Sequence, residues 1–132
     1  MTGDGVRPIR APALHDGGFV HGAVVPGGST LFTAGISPLD SAGGIVGPGE
    51  ATVQTRRCLD CLAEVLVAAG SAPAQVVKLT VYVATADPAL LGRVWQTVDA
   101  WFADTPPAIV LGVTALPYPE QLVEIEAIAT AE

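Results

Sequence analysis

A chain of 132 residues, half of them hydrophobic, is long enough to form one domain, here residues 1–132, that buries about two thirds of its unfolded surface. Its net charge of −7, from 13 acidic residues against six Lys and Arg, disfavours nucleic acid as a partner, because phosphate backbones are bound by clustered cations. The sequence contains neither an uninterrupted run of 18 apolar residues nor a basic, apolar amino-terminal signal, so we expect no membrane association and a cytoplasmic protein.

The first 49 residues are predicted to contain an irregular arm, a β-hairpin and a loop, but no helix. Residues 1–16 contain two prolines and no apolar periodicity, which indicates an irregular amino-terminal arm. The β-prone runs Phe19–Val25 and Thr30–Ile36 are separated by Pro-Gly-Gly-Ser, a pattern typical of a hairpin. The segment Ser37–Gly49 is rich in Gly and Pro but lacks the Lys-Ser or Lys-Thr that closes a phosphate-binding loop, so we interpret it as a mobile loop at the mouth of a site.

The middle of the chain predicts two helices and a strand between them. Residues 50–69 have apolar side chains at helical spacing, and Gly70 follows at the position where a left-handed residue ends a helix. Residues 76–83 alternate between apolar and polar side chains and predict a strand. A second helix is predicted from 88 to about 102, because Asp87 is a suitable N-cap and a proline occupies the first helical position.

Two alternating strands follow between residues 105 and 129, separated by Leu-Pro-Tyr-Pro. We predict that one face packs under the helices and carries Ile109, Leu111, Val113, Val123, Ile125 and Ala127. The other face is predicted to carry Ala108, Val110, Gly112, Thr114, Glu124 and Glu126. Carboxylates on a hydrophobic sheet cost desolvation energy unless they are hydrated, paired or bound to a ligand. This second face is therefore where we expect the functional site.

The predicted order β-β-α-β-α-β-β indicates an α+β subunit with one mixed sheet and both helices on the same face. The uncovered face is too apolar for open water and too polar for a dry core. It is predicted to carry Val76, Val110 and Tyr82 beside Lys78, Thr80, Glu124 and Glu126. Packing against copies of the same chain, with clefts left between subunits, satisfies both requirements.

The two cysteines, Cys58 and Cys61, have a Cys-x-x-Cys spacing inside the first predicted helix. The sequence offers no second pair and no nearby histidine to complete a zinc site, and a redox pair would lie at the start of a helix. We interpret both as reduced thiols without chemistry. With two histidines and scattered acids, neither a metal site nor a cofactor is predicted.

From Gly17 to Thr130 the sequence resembles the Rid proteins, also called the YjgF or RidA family. The segments that carry the resemblance are Leu31-Phe32-Thr33-Ala34-Gly35, Gln54-Thr55-Arg56, Leu59 to Gly70, Val77 to Val83, Pro106-Pro107-Ala108, Gly112-Val113, Leu116-Pro117 and Val123-Glu124-Ile125-Glu126-Ala127. The resemblance implies a chorismate-mutase-like subunit and a homotrimer with a central barrel. It also implies small-molecule ligands in the three clefts between subunits.

The best-known Rid proteins hydrolyse 2-imino and 2-enamino acids to 2-oxo acids and ammonia, and they hold the substrate carboxylate with an arginine after a Pro-Ala or Pro-Pro pair. Here Ala108 follows Pro106-Pro107, and alanine supplies neither charge nor donors. Phe19 stands where the family usually has tyrosine, and Gly35-Ile36 replaces the usual Gly-Gln. The resemblance thus implies a rebuilt pocket whose candidate ligand-binding residues are Phe19, Gly35, Ile36, Ala108, Ile109 and Tyr118.

Two residues are candidates for proton transfer. Glu124 matches the family glutamate that positions the attacking water, with a structural carboxylate as the alternative. His21 is predicted to lie on a strand beside the expected cleft, and histidine can donate or accept a proton near neutral pH, whereas His15 in the arm is a weaker candidate.

Three functions remain open at this point. The first is a cofactor-free enzyme that hydrolyses, isomerises or cyclises a small imine, enamine or enolisable carbonyl compound, with little deaminase activity on 2-imino acids. The second is a trimer that binds a metabolite without turnover. The third, an endoribonuclease as described for some relatives, is disfavoured by the acidity of the chain.

Overall fold

The structure of the protein is a computed structural model that describes residues 6–9, 12, 22–24 and 27–131. Six strands and two helices occur in this part of the chain. They are β1 (Arg7–Ile9), β2 (Gly22–Val24), β3 (Ser29–Phe32), α1 (Ala51–Ala68), β4 (Val76–Val83), α2 (Pro88–Trp101), β5 (Ala108–Gly112) and β6 (Val123–Ala131). A 3-10 turn, Pro73–Gln75, leads into β4.

Four of the strands form one mixed sheet in the order β3-β6-β4-β5. Strand β4 runs parallel to β5 and antiparallel to β6, and β6 also pairs with β3 in antiparallel register. The two last strands are therefore not neighbours, because β4 lies between them. This arrangement of two helices and a mixed sheet confirms the predicted α+β class.

The predicted hairpin between the two amino-terminal β-prone runs is wrong. Strand β2 pairs with β1, and β3 pairs instead with the carboxyl-terminal end of β6. The nine-residue β6 offers β3 a partner that is itself paired with β4, which extends the sheet by one strand. Strand β1 also lies inside the arm that was predicted to be irregular, where a two-stranded ribbon leaves an edge that tolerates Pro8.

Both helices begin and end within about one residue of the predicted positions, and one end of each helix carries a specific capping group. The Asp87 carboxylate accepts a hydrogen bond from the Ala89 N–H at 2.9 Å. Gly70 has φ +70°, and the Ser71 N–H donates to the Leu66 carbonyl at 2.8 Å, which is the hydrogen-bond pattern of a Schellman motif.

The hydrophobic core lies between the two helices and one face of the sheet. Its strand residues are Leu79, Val81 and Val83 of β4 together with Val123, Ile125, Ala127 and Ala129 of β6, and they pack against Cys58, Leu59, Leu62 and Leu66 of α1 and Val94 and Val98 of α2. We call the opposite side of the four-stranded sheet the open face. Glu124 and Glu126 lie there, opposite Tyr82 and Thr80, as predicted.

The predicted assignment of β5 side chains to the two faces is wrong. Ala108 is paired with Leu79 in parallel register, so Ala108 and Val110 face the helices and pack against the core. Ile109 and Leu111 therefore lie on the open face, with 43% and 39% of their surface exposed. Alternation divides the side chains of one strand between two faces. It does not show which of these two sets lies on the core side of the sheet when the neighbouring strand is not joined by a hairpin. Val76, also predicted on the uncovered face, is buried.

The segment between β3 and α1 folds back on itself. Leu39 and Ile45 form an antiparallel bridge, and the Asp40 carboxylate accepts hydrogen bonds from the N–H groups of Ala42 and Gly44, both at 2.9 Å. These backbone donors lower the pKa of Asp40. The Gly- and Pro-rich loop thus has a local fold that its composition does not reveal.

Candidate functional site

The best-defined polar arrangement on the open face surrounds the Glu124 carboxylate. Its Oε1 accepts hydrogen bonds from Ser37 Oγ at 2.7 Å and from Gln121 Nε2 at 3.3 Å. The Gln121 amide also donates to Ser37 Oγ at 3.0 Å, so the three side chains bond to one another. We call Glu124, Ser37 and Gln121 the Glu124 cluster. It joins β6 to the segments that precede β6 and follow β3, and it holds the carboxylate in one orientation.

Gly35 lies directly against this carboxylate. A Cβ atom at Gly35 would be 2.9 Å from Glu124 Oε2 and 3.2 Å from Glu124 Cδ. The chain is held close at this point because the Ile36 N–H and carbonyl both bond to Ile125 across the sheet. A glycine at position 35 therefore provides the space in which Oε2 sits, and any larger residue would displace the carboxylate.

A second polar pair lies beside the first on the open face. The Tyr82 hydroxyl donates to Glu126 Oε1 at 2.7 Å, and Glu124 is the residue directly across from Tyr82 in the register. The hydrogen bond to Glu126 raises the pKa of Tyr82, with burial and the charges of the two carboxylates adding to the effect. The phenol therefore stays protonated at neutral pH and donates to Glu126.

A shallow pocket of about 130 Å³ lies on the far side of Glu126. Its lining comes from β3, β4 and β6 and consists of Phe32, Thr33, Lys78, Thr80, Glu126, Ala127 and Ile128. The open face thus combines carboxylates, hydroxyl groups and a lysine with large apolar side chains. Phe32 is 71% exposed there, which leaves a hydrophobic surface beside the polar groups.

Comparison with known proteins decides the family. A family model described as Endoribonuclease L-PSP matches residues 10–131. The chain belongs to the Rid (YjgF/RidA) family. It is 34% identical over 109 residues to the RutC family protein PH0854 of Pyrococcus horikoshii, covering 82% of this chain and 84% of the relative.

Solved structures of other Rid proteins share the fold. The Rid protein YyfB of Yersinia pestis is 36% identical and superposes with a TM-score of 0.86, covering 96% of this chain and 98% of that one. The YjgF gene product of E. coli is 30% identical with a TM-score of 0.68, covering 94% and 98% of the two chains. The predicted membership of the Rid family is therefore confirmed, and the fold is that of the family.

The structure brings some of the predicted site residues together and separates others. Gly35 and Glu124 are in contact, and Tyr118 lies in the β5–β6 connection, where its backbone N–H donates to Gln121 Oε1 at 3.2 Å. Ile109 is exposed on the open face of the edge strand β5.

Two predicted ligand-binding residues face the core of the subunit instead. Ile36 is buried and bridges to Ile125, whose side chain packs under the helices. Ala108, at the position where the resemblance would place a carboxylate-binding arginine, packs against the same core. Both point away from the open face because each pairs with a core-facing residue. The remaining candidates, Phe19, His21 and His15, lie outside the described residues.

Ser37 and Gln121 belong to the Glu124 cluster but were not predicted from the sequence. Gln121 is 4% exposed, and besides its bonds within the cluster it donates to the Val123 carbonyl at 3.1 Å. Its place three residues before the glutamate, in a segment that contains two prolines, was the available signal in the sequence. Ser37 has no such local signal, since it is 87 residues away from Glu124 in the chain.

The thiols and acids of the described residues do not form a metal site. No group of three or more His, Cys, Asp or Glu side chains converges in the ranges given above. Cys58 is fully buried in α1, with Sγ 3.7 Å from the Val123 carbonyl, and burial raises the pKa of its thiol. Such a thiol is a poor nucleophile at neutral pH. Over the same part of the chain, neither helix combines the length and the apolar character needed to span a membrane.

Proposed function

We propose that the protein is a cofactor-free enzyme that transfers protons on a small imine, enamine or enolisable carbonyl compound, with Glu124 as the proton acceptor. The observation that carries this proposal is the asymmetric environment of the Glu124 carboxylate. Oε1 is held by Ser37 and Gln121, while Oε2 lies over Gly35 and receives no hydrogen bond from the described residues. A fixed carboxylate with one available oxygen has the geometry of a positioned general base.

The proposed reactions use Glu124 Oε2 as the proton acceptor. In hydrolysis, Glu124 takes a proton from water as the water oxygen adds to the carbon of a C=N bond, and passes that proton to the nitrogen. The hydroxyl proton of the resulting carbinolamine is then transferred to the nitrogen as the C–N bond breaks, which leaves a carbonyl compound and ammonia. In isomerisation or cyclisation, Glu124 removes the proton next to the carbonyl or imine carbon and returns it elsewhere. We propose His21 as the partner acid, because the sequence predicts it on a strand beside the cleft and because histidine side chains can donate or accept a proton near neutral pH.

The substrate is proposed to lack the carboxylate that other Rid substrates present. Ala108 supplies no donor and packs against the core, so nothing at this position binds a carboxylate in a bidentate manner. Two carboxylates, Glu124 and Glu126, lie on the open face near Tyr82 and would repel an anionic ligand. We therefore expect hydrolysis of 2-iminopropionate and 2-iminobutyrate to be weak.

The working form is proposed to be a homotrimer with ligand sites in the clefts between subunits, where Phe19, Ile109 and Tyr118 contribute to the lining. Phe32, Ile109 and Leu111 are exposed on the open face of the single subunit, and apolar surface of this kind is commonly covered by a further subunit. Light scattering should return a mass of roughly 40 kDa for three 13.4 kDa chains. A stable monomer at micromolar concentration would contradict this part of the proposal.

The alternative to an enzyme is a trimer that binds a metabolite without turning it over. In that case the same residues would line the binding site, and Glu124 would not accept a proton.

An endoribonuclease, the activity in the description of the family model, fits less well with 13 acidic against six basic residues. Incubation of the protein with a single-stranded RNA at low salt tests this activity directly. Cleavage above the level of a Glu124→Gln control would favour it.

The experiment that tests the proposal is a substrate panel. Imines and enamines are generated in situ from neutral amines, amino-acid amides and amino acids, and their decay is followed with and without the protein. We expect acceleration for a compound without a carboxylate and little for 2-iminopropionate. Decay of 2-iminopropionate as fast as with a Rid protein that retains the arginine would overturn the substrate assignment.

A further inference from the structure

Gln54 is a fully buried amide in the first turn of α1, and all of its hydrogen-bonding capacity is directed at the loops that frame the Glu124 cluster. Its Nε2 donates to the Gly47 carbonyl at 3.0 Å and to the Glu120 carbonyl at 2.9 Å. Its Oε1 accepts from the backbone N–H groups of Leu122 at 2.7 Å and Val123 at 3.3 Å. Two donated and two accepted bonds are the most that one side-chain amide forms.

The backbone that Gln54 holds is strained at Glu120. Glu120 has φ +65°, the one positive φ among the described residues other than glycine. A left-handed conformation at such a residue persists only when its surroundings impose it. The Gln54 amide bonds to the backbone on both sides of Gln121, at residue 120 and at residues 122 and 123. Gln121 is thereby presented to Glu124.

The same amide also fixes the loop that follows Ser37. Gly47 has φ +69°, and a Cβ atom there would be 2.6 Å from Val53 Cγ1, so the loop backbone lies flat against α1. Gln54 therefore ties both neighbours of the carboxylate, the Ser37 segment and the Gln121 segment, to one rigid helix.

We propose that Gln54 is a positioning residue for the Glu124 carboxylate, acting through Gln121 without itself reaching the ligand. The effect on turnover rests on the proposed function, whereas the placement of Gln121 does not. Loss of the amide would release the strained turn at Glu120, and Gln121 would no longer donate to Glu124 and Ser37.

The test compares Gln54→Met with a matched control, Gln75→Met. Both replacements remove a buried amide and keep a side chain of similar length. Gln75 is 2% exposed and donates to Thr130 at the other end of the sheet, at 3.2 and 3.1 Å. The readout is the side-chain amide signal of Gln121 in ¹⁵N-edited NMR spectra, which a general loss of stability does not shift.

In Gln54→Met we expect the Gln121 amide signals to move towards free-glutamine positions and their hydrogen exchange to accelerate by roughly tenfold or more, since buried hydrogen bonds are lost. In Gln75→Met the signals should stay in place although the protein is also less stable. Adding Glu120→Gly to Gln54→Met should recover part of the protection, because glycine adopts positive φ at little cost. Unchanged Gln121 signals in Gln54→Met, or equal changes in Gln75→Met, would overturn the proposal.

A measurement on the unaltered protein decides the matter if Gln54→Met does not fold. In low urea, the Gln121 side-chain amide and the Leu122 backbone N–H should open together, since one amide holds both positions. Opening of Gln121 at clearly lower urea than Leu122 would contradict the proposal. Neither NMR result depends on turnover, so a failure of the proposed enzyme activity would be seen separately, as inactivity of the unaltered trimer on the whole substrate panel.

Discussion

Replacing Gly35 with alanine is expected to push the Glu124 carboxylate out of position. The added Cβ would be 2.9 Å from Oε2, and ordinary contacts begin at 3.4 Å, so the carboxylate has to move by about 0.5 Å. Catalytic groups need placement within about 0.5 Å, and a 1 Å error costs about a hundredfold. We therefore expect the turnover number of Gly35→Ala to fall by roughly tenfold to a hundredfold.

Gly35→Ala should also lose up to about 2–3 kcal/mol of its free energy of unfolding while it remains folded. The weakened bonds from Ser37 and Gln121 to the carboxylate cost about 1–3 kcal/mol, and the stiffer unfolded chain returns about 0.4–1 kcal/mol. Initial rates and urea unfolding are measured on the same preparation, with Gly27→Ala as the control because its Cβ would meet nothing within 4 Å. Full turnover in Gly35→Ala, with Glu124 in its original place in a crystal structure of the variant, would refute the reasoning.

Two further predictions concern stability. The pKa of Tyr82 is raised above its ordinary value of 10.0 by the bond to Glu126, so its contribution is complete below about pH 10 and is lost as pH rises through the folded-state value. Urea unfolding of Tyr82→Phe at pH 8 and pH 11 should therefore show a smaller deficit at the higher pH, and a constant deficit would contradict this. Gly92 lies inside α2, and a Cβ atom there would meet open space, so Gly92→Ala should raise the free energy of unfolding by about 0.5–1 kcal/mol. A lower free energy of unfolding in Gly92→Ala would contradict this.

The sequence was sufficient for elements whose ends and periodicity are local. Helix α2 begins after Asp87, and α1 ends just before the left-handed Gly70, close to the predicted positions, because a cap and a left-handed glycine act over a few residues. The prediction of which β5 side chains lie on which face of the sheet was wrong. Ala108 lies on the same face as its partner Leu79, which is 29 residues earlier, and the sequence does not indicate that these two residues pair.

The site was predictable only in part for the same reason. Glu124 was proposed from the sequence because it follows the alternation of β6 and matches the Rid family, and Gly35 because it matches the family pattern; the structure places the two in contact. Ser37 and Gln121 reach Glu124 through tertiary packing, and Gln54 reaches the loop before β6 from a helix 66 residues away in the chain. No periodic pattern connects such positions.

The central claim is that Glu124 accepts a proton, and turnover by an intact Glu124→Gln protein tests it most directly. Glutamine keeps the shape of the side chain, and its carbonyl oxygen still accepts from Ser37, so the assembly should retain its mass and melting temperature. Turnover of the best substrate of the panel should fall by roughly a hundredfold or more, because the amide takes up no proton. Unchanged turnover by a Glu124→Gln protein of unaltered mass would remove Glu124 from the mechanism.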